Sequence, residues 1–69
     1  MKWECLLYDK EGVLAFSSGY YIQLMRFLGR TNIKSMHCLI SRARHGKLKH
    51  TFDKYGNKYK IVIKELNNE

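Results

Sequence analysis

Arg30, Asn32, Lys34, Ser35 and Cys38 fall close together, and Arg42, Arg44, Lys47 and Lys49 follow directly. Lys58 and Lys60 come later, at a spacing of two. These residue types suit recognition of a polyanion. Guanidinium and ammonium groups neutralise phosphate, and short polar side chains read base edges. Asn32, Lys34, Ser35 and Cys38 are placed for base edges, early on an expected helix. Arg42 and Arg44 would meet phosphate, or Arg42 a guanine. Arg30, Lys47, Lys49, Lys58 and Lys60 would grip the backbone from a turn and a wing. The bland alternative for each lysine is a solvated surface charge.

Other chemistries find less support. His37 and Cys38 are adjacent, Cys5 lies in another element, and neither Cys-x-x-Cys nor His-x-x-x-His occurs. That spacing argues against a metal site. No Ser/His/Asp set, carboxylate pair or phosphate-cradling glycine loop stands out among only 6 acids. The expectation is a protein that is not an enzyme and needs no cofactor.

Charge sharpens the polyanion reading. The 69 residues carry 13 Lys/Arg against 6 Asp/Glu, a net +7. Residues 26–64 hold eleven of those cations and one acid, Asp53. A basic surface gathered in one half of a chain favours a nucleic acid. The length implies one domain with a small core. Hydrophobic residues at 45% and charged residues at 28% fit a folded chain.

The elements that must position these side chains follow from local patterns. Lys2 to Tyr8 alternates as a strand, with Trp3, Cys5 and Leu7 on one side and Leu6 and Tyr8 on the other. Asp9 to Gly12 makes a turn, and Val13 to Phe16 the return strand. Ser17 or Ser18 should cap a first helix whose Tyr21, Leu24, Met25 and Leu28 face the core. Gly29 should end it in a left-handed cap. Thr31 or Asn32 should cap a second helix with Ile33, Met36, Ile40 and Ala43 inward. Its outer face would present Lys34, Cys38, Ser41, Arg42 and His45. Gly46 should stop it. Lys47 to Phe52 reads as a strand, Asp53 to Asn57 as a turn, and Lys58 to Glu65 as the clearest strand in the chain. There Tyr59, Ile61 and Ile63 should face the core, with the lysines turned to solvent or a ligand.

The expected fold is therefore α+β in a single domain, residues 1–69. A β-hairpin spans 1–16, a helix-turn-helix 18–45, a second hairpin or wing 47–65, and a tail 66–69. The segments Tyr8-Asp9-Lys10-Glu11-Gly12 and Phe52-Asp53-Lys54-Tyr55-Gly56 share the pattern aromatic-Asp-Lys-x-Gly. They point to two hairpins with the same turn chemistry.

Four stretches carry a family resemblance: Leu7-Tyr8-Asp9-Lys10-Glu11-Gly12, Phe16-Ser17-Ser18, Arg26-Phe27-Leu28-Gly29, and Ile40-Ser41-Arg42 with Gly46-Lys47. Over about residues 6–49 the chain resembles small phage and mobile-element helix-turn-helix proteins. It is also similar to the DNA-binding repeats of intron-encoded homing endonucleases. Residues 46–61 more loosely resemble an excisionase-type wing. The resemblance implies duplex DNA binding through the second helix and no catalysis. It also marks a departure: Leu24 and Met25 stand where such modules place small residues, which would push the two helices apart.

Two function classes follow. The first is a small DNA-binding protein, a phage or mobile-element regulator or a recombination or replication accessory. The second is a phage-encoded modulator that docks on an acidic face of a host or phage machine. Its basis is that departure and the aromatic set Trp3, Tyr20, Tyr21, Tyr55 and Tyr59. RNA is a weaker third partner. The oligomeric state stays open, a homodimer included. The start of the chain lacks a secretory pattern, no apolar run matches a membrane span, and both cysteines sit in apolar patterns. A reduced, cytoplasmic setting with no membrane partner is the expectation.

Overall fold

Two aspartates shape the two reversals of the sheet. Asp9 Oδ1 accepts hydrogen bonds from the Glu11 and Val13 N–H groups, each at 2.9 Å. Asp53 Oδ1 accepts from the Tyr55 and Asn57 N–H groups, also at 2.9 Å. Each loop then ends at a glycine in the left-handed region, Gly12 at φ 82° and Gly56 at φ 85°. The repeated sequence pattern is thus a repeated physical device. A short carboxylate holds the turn amides, and a residue without Cβ takes the strained φ.

The computed structural model of the chain describes residues 2–66. The elements run β1 (Lys2–Tyr8), β2 (Leu14–Ser18), α1 (Tyr21–Leu28), α2 (Ile33–Arg44), β3 (His50–Phe52) and β4 (Lys58–Leu66). The expected α+β class holds, as does the order hairpin, two helices, hairpin. The hairpins are joined, however. β1 and β4 pair antiparallel from Lys2↔Leu66 to Tyr8↔Lys60, giving one four-stranded sheet of order β2-β1-β4-β3. The second hairpin is therefore half of one sheet. The physical reason is burial. Cys5 lies opposite Ile63 and Leu7 opposite Ile61, so the pairing builds one continuous apolar face where two lone hairpins would each be marginal.

Both helices pack on that face. Cys5, Leu7, Leu24, Leu28, Met36, Ile40 and Ile61 form the buried core. Trp3, Phe16, Tyr21, Met25, Phe27, Tyr59 and Ile63 pack around it. The inward positions expected for α1 are borne out. Leu24 is fully buried and Met25 partly so. On α2, Met36 and Ile40 are buried and Ala43 half-buried, but Ile33 is 37% exposed. Leu39 takes a share of the inner face instead.

The starts of the elements differ from expectation in places. Ser17 and Ser18 do not cap α1. They extend β2, paired with Leu6 and Cys5, because the sheet ladder claims their backbone. Tyr20 is the N-cap and makes no side-chain capping bond. The buried Ser18 hydroxyl accepts from the Tyr20 N–H at 3.1 Å and donates to Gln23 Oε1. Strand β3 is shorter than Lys47 to Phe52, because residues 45–49 are used to leave the helix. Leu66 belongs to β4, and the rest of the expected tail, 67–69, lies outside the described residues.

Both helices end alike. The Gly29 N–H donates to Arg26 O and the Arg30 N–H to Met25 O. The Gly46 N–H donates to Ala43 O and the Lys47 N–H to Arg42 O. These are Schellman motifs, and they satisfy carbonyls a helix end would leave orphaned. At the first, the second hairpin adds a lock. The Lys54 N–H donates to Leu28 O at 2.9 Å, and Arg30 Nη2 donates to Phe52 O at 2.7 Å. Gly29 has φ 72°, and a Cβ there would lie 2.5 Å from Lys54 Cδ and 3.1 Å from Lys54 Cβ.

Gly29→Ala should therefore destabilise the domain by about 1–2 kcal/mol from the left-handed backbone alone, with the Lys54 contact adding to it. Urea denaturation followed by circular dichroism measures this. An unchanged midpoint would show that the helix–hairpin lock tolerates a side chain.

Candidate nucleic-acid interface

The start of α2 is set by Asn32. Its Oδ1 accepts from the Lys34 N–H at 3.0 Å, and its carbonyl accepts from the Ser35 N–H at 3.2 Å. Of the two expected caps, Thr31 and Asn32, the second is used. With Met36 and Ile40 buried, the opposite face of α2 is fixed outward. Lys34, Cys38, Ser41, Arg42 and His45 are all exposed, as the helical spacing requires.

That outer face forms one wall of a groove. The other wall is the edge strand β3 with its lead-in. Arg30, Asn32, Lys34, Ser35, Cys38 and Arg42 line the helix side, with Leu39 at its base. Leu48, His50, Thr51 and Phe52 line the other. Six of the eleven anticipated residues therefore meet in one place. Three of the six are cationic. Among the described residues, no Asp or Glu lines the groove. The hydrogen bond to Phe52 O ties Arg30, at the interhelical turn, to the strand wall.

The other five anticipated residues sit elsewhere. Arg44 points to the sheet, where its Nε lies 2.7 Å from Glu65 Oε2 and its Nη2 3.4 Å from Oε1. The pair is partly exposed, so it contributes little to stability, but it turns this arginine from phosphate toward fastening α2 to β4. Lys47 and Lys49 flank Leu48 in the connection to β3 and do not line the groove. The Lys49 carbonyl accepts from the Ile61 N–H at 2.9 Å. Lys58 and Lys60 lie on the opposite side of the sheet. Their neighbour Tyr59 pairs with Thr51 and packs toward Phe27, so the alternation of β4 sends both lysines away from the helices.

Sequence reasoning did not anticipate His50 and Phe52 as groove residues. The signal was present in the alternation of His50, Thr51 and Phe52. His50 and Phe52 flank the buried Thr51 on the edge strand, and with no strand beyond β3 among the described residues both reach the groove lining at the sheet margin. The aromatic set also divides. Tyr20 and Tyr55 are exposed, whereas Trp3 and Tyr21 have ring centroids 5.0 Å apart, and Tyr21 meets the His37 ring at 4.1 Å. Phe27, overlooked in the helical pattern, stacks on Phe16 at 4.7 Å.

The titratable groups here act structurally. Burial pushes the Cys5 thiol up to about 12, so it stays protonated and serves as a small hydrophobe. Cys38 is an exposed thiol in the groove wall. Desolvation works to raise the Asp53 carboxyl. Hydrogen bonds from the Asn57 amide side chain, the Asn57 and Tyr55 N–H groups and the Tyr59 hydroxyl outweigh it and hold the carboxyl below its ordinary value. Burial raises the Tyr59 hydroxyl, and its bond to Asp53 at 3.1 Å adds to this. Among the described residues no three His, Cys, Asp or Glu side chains come together as a metal site. No helix among them is long and apolar enough to cross a membrane.

Fold and groove together define a small α+β protein with a basic helix face beside a sheet edge. Compared with protein-family models, curated proteins and solved structures, the chain matches none.

The Asp53 carboxyl should make stability depend on pH. A depressed folded-state pKa stabilises the fold fully above the ordinary carboxylate value and loses that contribution as pH falls through the folded-state value. Asp53→Ala should lower the denaturation midpoint at neutral pH and flatten the acid limb of the stability curve. An acid limb identical to that of the parent would show that Asp53 is not among the groups that set it.

Proposed function

We propose that this chain is a duplex DNA-binding domain that lays α2 in the major groove. One observation carries the reading. Arg30, Lys34 and Arg42 converge with Asn32, Ser35 and Cys38 on one groove wall that, among the described residues, has no acidic lining residue. The short side chains allow close approach to base edges, and the cations stand where phosphates would pass. Asn32 offers a base-reading amide only if it releases the Lys34 N–H. A second role follows from that bond: Asn32 sets the helix start whether or not it touches a base. The edge strand supports the backbone on the other side through Leu48 to Phe52. Regulator or recombination accessory of a phage or mobile element is the biological setting this reading carries, by resemblance.

The alternative partner is an acidic protein surface, for which the exposed Tyr20 and Tyr55 would serve as anchors. Nuclease treatment separates the two, because docking on an acidic protein also weakens with salt. Engagement of phosphate by the three groove cations gives a log–log salt slope of about −2.7.

Lys34→Glu with Arg42→Glu should abolish binding to random duplex DNA, measured by fluorescence anisotropy at two salt concentrations. Both side chains are exposed, so the thermal midpoint should change little. A parent protein that fails to bind duplex at low salt would sink the proposal. Capture of a partner from nuclease-treated lysate, lost in the same double variant, would then favour the protein-docking alternative.

A further inference from the structure

The helices cover one face of the sheet and leave the other open. On that open face, register places Tyr8, Lys60 and His50 in one row across β1, β4 and β3. Phe52 and Lys58 stand side by side in the next row. Phe52 is 49% exposed, and Lys58, Lys60 and His50 are exposed as well. The two lysines are about 6.8 Å apart along β4, twice the antiparallel rise. That is comparable to the spacing of successive phosphates in an extended strand. Tyr8, Lys10, His50, Lys58 and Lys60 line a shallow concavity on this face, with Asp9 and Val62 also in its lining.

We propose that this open face is a second nucleic-acid surface, and that it takes single-stranded DNA across β1, β4 and β3. The chemistry is a row of cations flanked by ring systems, which suits an extended backbone with bases turned out to stack. A duplex would offer these rings no exposed base face. Two of the nearby acids are already engaged, while Glu11 lines a neighbouring hollow together with Lys58. Glu4 accepts from Ser17 Oγ at 2.6 Å and lies across from Lys64, and Asp9 Oδ1 holds its turn amides. The choice of DNA rests on the duplex reading of the α2 groove. His50 lines both surfaces, so a strand leaving a duplex at that groove passes over β3 onto this face.

The test titrates the protein with a labelled oligo-dT, a matching oligo-rU and a random duplex at low salt. Lys58→Glu with Lys60→Glu should weaken oligo-dT binding at least tenfold and leave duplex binding intact. Lys34→Glu with Arg42→Glu, a change of equal charge, should do the reverse. Phe52→Leu should weaken oligo-dT about fivefold through lost stacking. Thermal midpoints of all variants check that the fold survives. Equal losses from the two charge-reversed variants would reduce the effect to net charge and overturn the proposal. So would unchanged oligo-dT binding in the Lys58/Lys60 variant, or preference for oligo-rU. If duplex binding is absent but oligo-dT still depends on Lys58 and Lys60, the α2 reading fails and this one stands.

Discussion

The pairing of β1 with β4 is the constraint on which the rest of the molecule depends. It joins the two ends of the chain and turns two marginal hairpins into one sheet. It also creates the apolar floor of Cys5, Leu7, Ile61 and Ile63 that both helices need. Each large side chain fully buried on that floor contributes about 1.5–3 kcal/mol of hydrophobic stabilisation. In a chain of 69 residues few such side chains exist, so the floor and its cover must form together. The orientation of α2 then follows from where Met36 and Ile40 can bury, and so does the exposure of Lys34, Cys38 and Arg42.

A second constraint fixes the groove. The β3–β4 turn is fastened to the interhelical turn by the Lys54 N–H on Leu28 O and by Arg30 on Phe52 O. Gly29 lets that contact close because it has no Cβ to displace the Lys54 stem. The spacing between α2 and the strand wall is therefore set at one end by this lock. At the other end, Arg44 and Glu65 join the last turn of the helix to β4. Side chains held between two fixed ends lose less freedom on binding than those on a loop, which favours recognition.

Local chemistry was legible in the sequence, and distant pairing was not. The Asp-x-x-Gly turns, the Gly29 and Gly46 stops and the Asn32 cap depend on neighbours within a few residues, and the chain states them openly. The β1–β4 ladder depends on residues about sixty apart, and no local pattern names the partner of a strand. A hint existed in β1, where Leu6 and Tyr8 are apolar on the face opposite Cys5 and Leu7, as suits a central strand. The same gap explains the site. Helical spacing placed the outer face of α2 correctly but put Ile33 inward where Leu39 packs, and the location of Lys58 and Lys60 depends on which face of β4 the helices cover. Ser17 and Ser18 show the competition directly. Their types favour a helix cap, yet β1 offers them a ladder, and the ladder wins.

The placement of the acids bears on where the positive charge stays. A chain with net +7 gains from spreading its cations, since like charges in one patch repel. Here some are gathered on two surfaces: Arg30, Lys34 and Arg42 in the α2 groove, and Lys58 and Lys60 on the open face, where Asp9 joins them. Asp9 and Asp53 are bound to turn amides, Glu65 to Arg44, and Glu4 to Ser17. Asp53 illustrates the logic best. It sits in the most basic part of the sequence, but its oxygens face backbone N–H groups, Asn57 and Tyr59 rather than a lysine. Four acids thus hold the scaffold together, and among the described residues none lines the α2 groove. A fold gains little from pairing exposed cations. This one pairs Arg44 and keeps Lys34, Arg42, Lys58 and Lys60 exposed, an arrangement that becomes favourable once a polyanion is present.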